Sequence, residues 1–378
     1  MKKVILLGTS PSAVPIYRAL SSIGLEIFPV GSQKSDPLAK VPNWTEEDYS
    51  SYQNIEKLAK RIDCDFVVPS CNDTAFISAT RVANSRRLPG FDLTRDISKL
   101  CDKWAYREVL KGSKYEVYSF LDWSKRPDKS HDNSRFLQKP RFGHSGIGIS
   151  VPGKDVASSK ENFFFESFIE GTLHSHSIFL KNSEIVADFF VDEFCSHYDF
   201  AVSNSNFPSR LSDDEKLQAR EMSLYLAESF GVHTGLLHTQ FIASGEGVYP
   251  LESMRRCPGD FFGSMVQKAT GYDFYSNYVA GFIERDIDSH KEILPPKAIG
   301  RVSVYADSAG MLEMENIPSG NTVNLYHFSL RSVGEVVTTH VSSKSSILLL
   351  EYANNFDLWN SIPQGNIDRA TLKSGALN

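Results

Sequence analysis

Cysteine is scarce and scattered. The chain of 378 residues has five, Cys64, Cys71, Cys101, Cys195 and Cys257, with no Cys-x-x-Cys pair among them. That argues against a zinc or disulfide framework and makes a reducing cytoplasm the expected setting. Long apolar runs are also missing. After Met1-Lys2-Lys3 only Val4 to Leu7 are continuously apolar, too short for a signal-peptide core, and nothing approaches the ~20 residues of a membrane span. Positive charge is not in excess: 40 Lys plus Arg stand against 46 Asp plus Glu, a net charge of -6. Nucleic acid is therefore not the expected partner, and no membrane association is expected. There is no internal repeat and no long low-complexity tract. What remains is an ordinary globular composition, 41% apolar, long enough for two or three units with a substantial core.

Strand and helix patterns alternate over the first 95 residues. Short buried strands are predicted at 4–7, 26–30 and 66–69, with helices over about 11–23 and 54–61. Ser10 is a candidate N-cap before Pro11. This βαβ order predicts a parallel sheet. Ligands on such sheets sit beyond the strand C-termini, where Gly8-Thr9-Ser10 and Ser70-Cys71-Asn72-Asp73 fall; a plain tight turn fits Gly8-Thr9-Ser10 as well. Leu88-Pro89-Gly90 marks a boundary, followed by a helix from about Asp102. Residues 119–134 read as partly loop, and strands dominate from Phe136. Residues 203–212 read as a Ser/Asn/Pro-rich loop, and 213–230 as a helix capped by Ser212 or Asp213. Strands at 236–243 and 248–253 form a candidate hairpin. Strands at 298–305 and 311–317 suggest a small β-rich C-terminal unit.

The most telling segment is Phe136-Leu137-Gln138-Lys139-Pro140-Arg141-Phe142-Gly143-His144-Ser145-Gly146-Ile147-Gly148-Ile149. A lysine ends an apolar strand pattern, three glycines follow, and Ile147, Ile149 and Val151 resume alternation. Strand, glycine-rich turn, strand is the reading. Such glycines let backbone N–H groups approach a polyanion, and a lysine beside them can meet a phosphate. The spacing fits neither a dinucleotide-binding turn nor a P-loop. An ordinary hairpin with a flexible turn fits this segment equally well on its own.

Other features follow in fixed order. Asp102-Lys103 opens a helix. Phe165-Glu166-Ser167-Phe168-Ile169-Glu170-Gly171 comes after the glycine segment. Then come Gly235-Leu236-Leu237-His238-Thr239-Gln240-Phe241, Leu251-Glu252-Ser253-Met254-Arg255-Arg256-Cys257-Pro258-Gly259, and Ala269-Thr270-Gly271-Tyr272-Asp273. This order resembles the ATP-grasp superfamily, in particular its carboxylate–amine ligases related to L-amino-acid ligases and biotin carboxylase. The resemblance covers roughly residues 1–285. It implies an α/β and α+β protein: an N-terminal parallel-sheet (pre-ATP-grasp) domain over 1–95, linker helices and a lid subdomain over 96–170, and a larger ATP-grasp subdomain over 171–285. A C-terminal unit over 286–378 would complete the region.

By position, the resemblance implies that Lys103 and Lys139 contact ATP phosphates and that Gly143, Gly146 and Gly148 form the lid. Glu166 would mark the hinge for adenine and ribose, with Phe168 and Ile169 reading the adenine edge through their backbones. Arg256 and Lys139 would be catalytic, Arg256 lying near the transferred phosphate and the substrate carboxylate. The residues themselves also allow plainer roles: an exposed helix lysine for Lys103, a solvated strand-end carboxylate for Glu166, a packed strand histidine for His238, a surface carboxylate for Asp260 and a structural ion pair for Arg255.

Residues two apart on a strand share a face, so the hairpin brings Gln240 near Glu252. Relatives supply Glu, Glu and Asn as metal ligands there; here Gln240, Glu252 and Met254 stand in those places. Glu252 and Gln240 offer oxygen to Mg2+, or to Mn2+ in its stead, whereas the Met254 thioether is a poor match. The expected activity is ATP-dependent joining of a small-molecule carboxylate to an amine through an acylphosphate, with a homodimer as a common state among relatives. Bicarbonate-dependent carboxylation, or nucleotide binding over a degraded metal site, are the alternatives.

Overall fold

The computed structural model describes residues 1–90, 97–123, 136–152, 162–289, 296–306, 308–315, 322–341, 343–361 and 372–375. The first unit alternates β1 (Lys3–Leu7), α1 (Val14–Ser22), β2 (Glu26–Gly31), β3 (Thr45–Glu46), α2 (Tyr52–Ile62), β4 (Phe66–Pro69) and α3 (Asp73–Arg86). The strands make an all-parallel sheet in the order β3-β2-β1-β4. Val4–Leu7 of β1 and all of β4 are apolar and buried, as strands covered on both faces are. Along β1 the two-residue period divides the side chains: Ile5 and Leu7 pack with α2 and α3, while Val4 and Leu6 face a second core shared with later elements. Asn72 caps α3 by accepting from Ala75 N at 2.8 Å. Ser10 precedes a short 3-10 turn with Pro11 at its start, but its hydroxyl meets Ser12 Oγ instead of a backbone cap.

The helix α4 (Lys103–Leu110) follows, with Asp102 accepting from Trp104 N and Ala105 N as its N-cap. Then β5 (Ser119–Phe120), β6 (Phe136–Pro140) and β7 (Phe163–Ser167) form an antiparallel sheet in the order β5-β7-β6. The resumption of a strand predicted after the glycines is not found. Ser145, Gly146 and Gly148 have φ of 56°, 70° and 82°, values outside extended backbone, so the chain turns repeatedly and meets β6 at the isolated Gln138–Ser150 bridge. The loop predicted around Pro127 lies outside the described residues.

Next come β8 (Thr172–Lys181), β9 (Glu184–Phe194), β10 (Asn204–Phe207), α5 (Asp213–Ser229), β11 (Gly235–Ser244), β12 (Gly247–Met254), α6 (Phe262–Thr270) and α7 (Phe274–Ala280). They are followed by β13 (Ala298–Tyr305), β14 (Gly310–Glu315), β15 (Thr322–Ser329), β16 (Val336–Val337), β17 (Lys344–Tyr352), α8 (Asn355–Ser361) and β18 (Leu372–Gly375). Among the described residues, eight strands form one antiparallel sheet in the order β12-β11-β8-β9-β10-β13-β17-β15. The strand β13 therefore belongs to the large sheet, and of the predicted C-terminal strands only β14 stands apart, in a small sheet with β16 and β18. Helices α4 and α5 pack on one face of the large sheet, α6 and α7 on the other. The first unit rests on α7, where the Tyr278 hydroxyl donates to Pro69 O at 2.9 Å. Residues 204–207 look like loop by composition but form β10, where side-chain hydrogen bonds hold Ser205 and Asn206 in place. Ser205 bonds Glu193 and Arg301, and Asn206 donates to Leu358 O. Ser212 and Glu215 close a reciprocal capping box at the start of α5. No helix among the described residues is long and apolar enough to cross a membrane.

Candidate functional site

A cavity of about 1750 Å3 opens between the β5-β7-β6 sheet and the large sheet, and the first unit supplies part of its wall. A typical small-molecule site is ~300–1,000 Å3, so this one has room for a nucleotide and further substrates. Lys103, Lys139 and Arg256 all line it, as do Gly143, Gly146, Phe168 and Ile169.

Each of the three cations holds a carboxylate. Lys139 Nζ lies 2.8 Å from Glu166 Oε1, and Arg107 Nε lies 2.8 Å from Glu166 Oε2. Arg107 also donates to the carbonyls of Pro250 at 2.8 Å and Leu251 at 3.3 Å. One buried triad thus joins α4, the β6–β7 pair and β12. Burial alone would raise the Glu166 carboxyl, but Arg107 and Lys139 outweigh it and hold it at about 2. Two cations share that single anion, so Lys139 is lowered, by burial first and by Arg107. Glu166 is only 1% exposed. Its carboxylate is consumed by the triad, so it is not the solvated strand-end group that the residue alone allows.

Lys103 Nζ lies 2.8 Å from Glu252 Oε2 and donates to Gly143 O at 2.9 Å. The lysine therefore ties the glycine turn to the β11–β12 hairpin. Burial raises the Glu252 carboxyl, yet the Lys103 ammonium prevails and holds it at about 2. Arg256 pairs through Nε with Asp73 at the start of α3, which brings the first unit into the site. Gly8, Thr9 and Ser10 do not line the cavity, whereas Cys71, Asn72 and Asp73 do.

Gln240 and Glu252 are direct cross-strand partners, and the register shifts just after Gln240. Met254 lies opposite His238. Among the described residues no cluster of three or more His, Cys, Asp or Glu could hold a metal. One carboxylate and one amide oxygen fit a hard ion that takes most of its remaining ligands from water and substrate phosphate, which is how Mg2+ commonly binds. His238 is 2% exposed and hydrogen-bonds Ser177 Oγ at 2.7 Å, and burial lowers it to about 4. Asp260 is not a bare surface carboxylate: its Oδ2 lies 2.9 Å from Nη1 of the fully buried Arg301. At the tip of the glycine turn, a Cβ on Gly146 would come within 2.5 Å of Phe200 O, so only glycine lets the turn seat there.

Asp73 falls in the strand-end segment flagged from the sequence, whereas Arg107, Glu193, Arg301 and Lys344 are groups absent from the motif reading. Arg107 had a signal, since it lies four residues from Lys103 and so on the same helix face. No protein-family model matches the sequence, and no curated protein matches it. Solved structures do. An L-amino acid ligase from Bacillus licheniformis aligns with a TM-score of 0.77 at 14% identity, covering 100% of this chain and 99% of that one. A phosphoribosylglycinamide synthetase from Anaerococcus prevotii gives 0.74 at 14%, covering 95% and 96%. The biotin carboxylase domain dimer of 2-oxoglutarate carboxylase from Hydrogenobacter thermophilus, in complex with MgADP, ADP and bicarbonate, gives 0.69 at 17%, covering 93% and 86%. Likeness at these identities is a likeness of fold, and it extends over nearly the whole chain: this protein shares the ATP-grasp fold with those structures.

Proposed function

We propose that this protein is an ATP-dependent ligase that joins a carboxylate to an amine through an acylphosphate, releasing ADP and phosphate. The observation that carries this reading is the convergence of Lys103, Lys139, Arg256 and Glu252 on one large cavity beneath a glycine turn. Before ligands arrive, each cation is neutralised by a carboxylate. When the phosphates enter, Lys103 exchanges Glu252 for them, which frees Glu252 to act with Gln240 as a metal ligand. Bound there, Mg2+ supplies charge neutralisation to the phosphates. Lys139, oriented by Glu166, meets the same phosphates, and the backbones of Phe168 and Ile169 face the adenine. Arg256, steadied by Asp73, holds the carboxylate against the γ-phosphate. Catalysis is then mainly positioning and charge stabilisation. The glycine turn, seated on Phe200, keeps water from the acylphosphate.

The test is incubation with ATP, Mg2+ and a panel of carboxylates and amines, with ADP and product mass as readouts. ADP release that requires both a carboxylate and an amine supports the ligase. ADP release that requires bicarbonate and no amine supports carboxylation. The second reading, nucleotide binding without turnover, is favoured by the lone carboxylate Glu252 at the metal position; it prevails if ATP binds and no ADP forms with any pair.

A further inference from the structure

One lysine of the cavity has no part in the reading above. Lys344 opens β17 and lines the cavity beside Glu193 and Asp260. Among the described lysines and arginines of the lining, Lys103, Lys139, Arg210 and Arg256 are each ion-paired. The Lys344 side chain makes no ion pair and no hydrogen bond among the described residues; its Nζ lies 5.9 Å from the centre of the Tyr305 ring. Both nearby carboxylates are committed to Arg301, Asp260 Oδ2 at 2.9 Å and Glu193 Oε2 at 3.3 Å. Glu193 also accepts from Ser175 and Ser205. A cation left unpaired in the wall of a substrate cavity has a free ammonium to exchange protons with what enters.

We propose that Lys344 is the proton acceptor for the incoming amine. The proposal rests on the ligase reading. An alkyl amine reaches the site as an ammonium ion, whose nitrogen has no lone pair for attack. It passes one proton to the neutral Lys344 amine. Its lone pair then forms the C–N bond to the acyl carbon, the C–O bond to phosphate breaks, and the second proton leaves with the phosphate as hydrogen phosphate. Lys344 returns its proton to water before the next turnover. The groups facing Lys344 suit this role. Burial first, and then the Arg301 guanidinium on β13, push its ammonium down to about 8, against a smaller opposite pull from Asp260 and Glu193. Tyr305 on β13 is raised, so it stays a neutral phenol at these pH values. Asp260 is a weaker candidate base, because Arg301 lowers it despite burial.

Hydroxylamine, uncharged at neutral pH, separates the two halves of the reaction, since it captures an acylphosphate without needing a base. Wild type, Lys344→Met and Lys344→Arg are assayed with each active carboxylate, once with hydroxylamine and once with alkyl amines and amino acids. Expected is hydroxamate formation within about threefold of wild type in both variants, and amide formation at least ~100-fold slower, within the usual range for general-base catalysis. The wild-type amide rate should climb through about pH 8 and level off, and neither variant should show that plateau. Arginine keeps the charge but cannot release a proton at these pH values. Amide formation restored by Lys344→Arg would assign the lysine to charge alone and overturn the proposal. An unchanged amide rate in Lys344→Met, or an equal loss of hydroxamate, would also overturn it. A wild type that yields no hydroxamate from any carboxylate removes the ligase reading, and the proposal with it.

Discussion

Replacing Glu166 by Gln isolates the triad that joins α4, the β6–β7 pair and β12. The glutamine keeps the size of the side chain and removes its charge, leaving Lys139 and Arg107 buried together without an anion. The Glu166 carboxyl is held at about 2 against an ordinary 4.5. At about 1.4 kcal/mol per pKa unit, that gap is about 3 kcal/mol of preference for the ionised form in the folded protein. Removing one partner of a buried pair typically costs ~3–5 kcal/mol, so the two figures agree in order of magnitude. With an unfolding entropy of about 2.1 cal/mol/K per residue, the melting temperature should fall by about 4 °C for a chain of this length.

The pH dependence gives the sharper check. A carboxyl whose folded pKa is depressed stabilises fully above its unfolded pKa and loses that stabilisation as pH falls through the folded one. The gap between wild type and Glu166→Gln should therefore hold steady from pH 8 to 5, then narrow below about 4.5 as wild type loses its advantage. Scanning calorimetry of both proteins across that range reads it directly. A gap under about 1 °C at neutral pH, or one that widens on acidification, would refute the claim that Glu166 is the ionised keystone of the triad.

Lys103→Met should free Glu252 and tighten nucleotide-independent Mn2+ binding by about tenfold, as followed by electron paramagnetic resonance, because a competing ion pair is removed. The same change should raise amide hydrogen exchange over residues 143–148, since the Gly143 carbonyl loses its donor. Gly146→Ala should unseat the glycine turn from Phe200, and ATP hydrolysis uncoupled from amide formation should rise in a paired ADP and product assay; equal coupling in both proteins would count against the lid. Gln240→Glu adds a second carboxylate opposite Glu252 and should tighten divalent-ion binding by about tenfold in calorimetric titration, on the principle that Mg2+ prefers charged oxygen. Unchanged affinity would place the metal elsewhere.

The local patterns are legible where a short period meets a clear stop. The apolar run of β1, the capping box of α5 and the turn between β11 and β12 each follow from neighbouring residues. Order along the chain carries the fold further: no single motif decides it, yet Lys103, Lys139, Glu252 and Arg256 occur in a sequence of motifs that the chain folds onto one cavity. Lost to a linear reading is whatever depends on partners far apart. Asp73 meets Arg256 across 183 residues, and Arg107 reaches Pro250 across 143. Neither pairing leaves a trace in spacing or period.

The row Glu193, Ser205, Arg301 shows why such groups escape. In register, Glu193 pairs with Ser205 across β9 and β10, and Ser205 with Arg301 across β10 and β13. Three polar residues from strands distant in sequence thus lie side by side inside a sheet. Seen singly, each argues against burial: a serine in a Ser/Asn-rich stretch suggests a loop, and an arginine in an apolar strand suggests an exposed face. Yet Arg301 is completely buried. A buried charge is tolerable only when paired and hydrogen-bonded, so the sheet must form before any of the three makes physical sense. Once Arg301 is held by Glu193 and Asp260, its charge is spent and both carboxylates are engaged. That is the physical origin of an unpaired lysine in the cavity wall: an arginine one strand away has already taken both available anions.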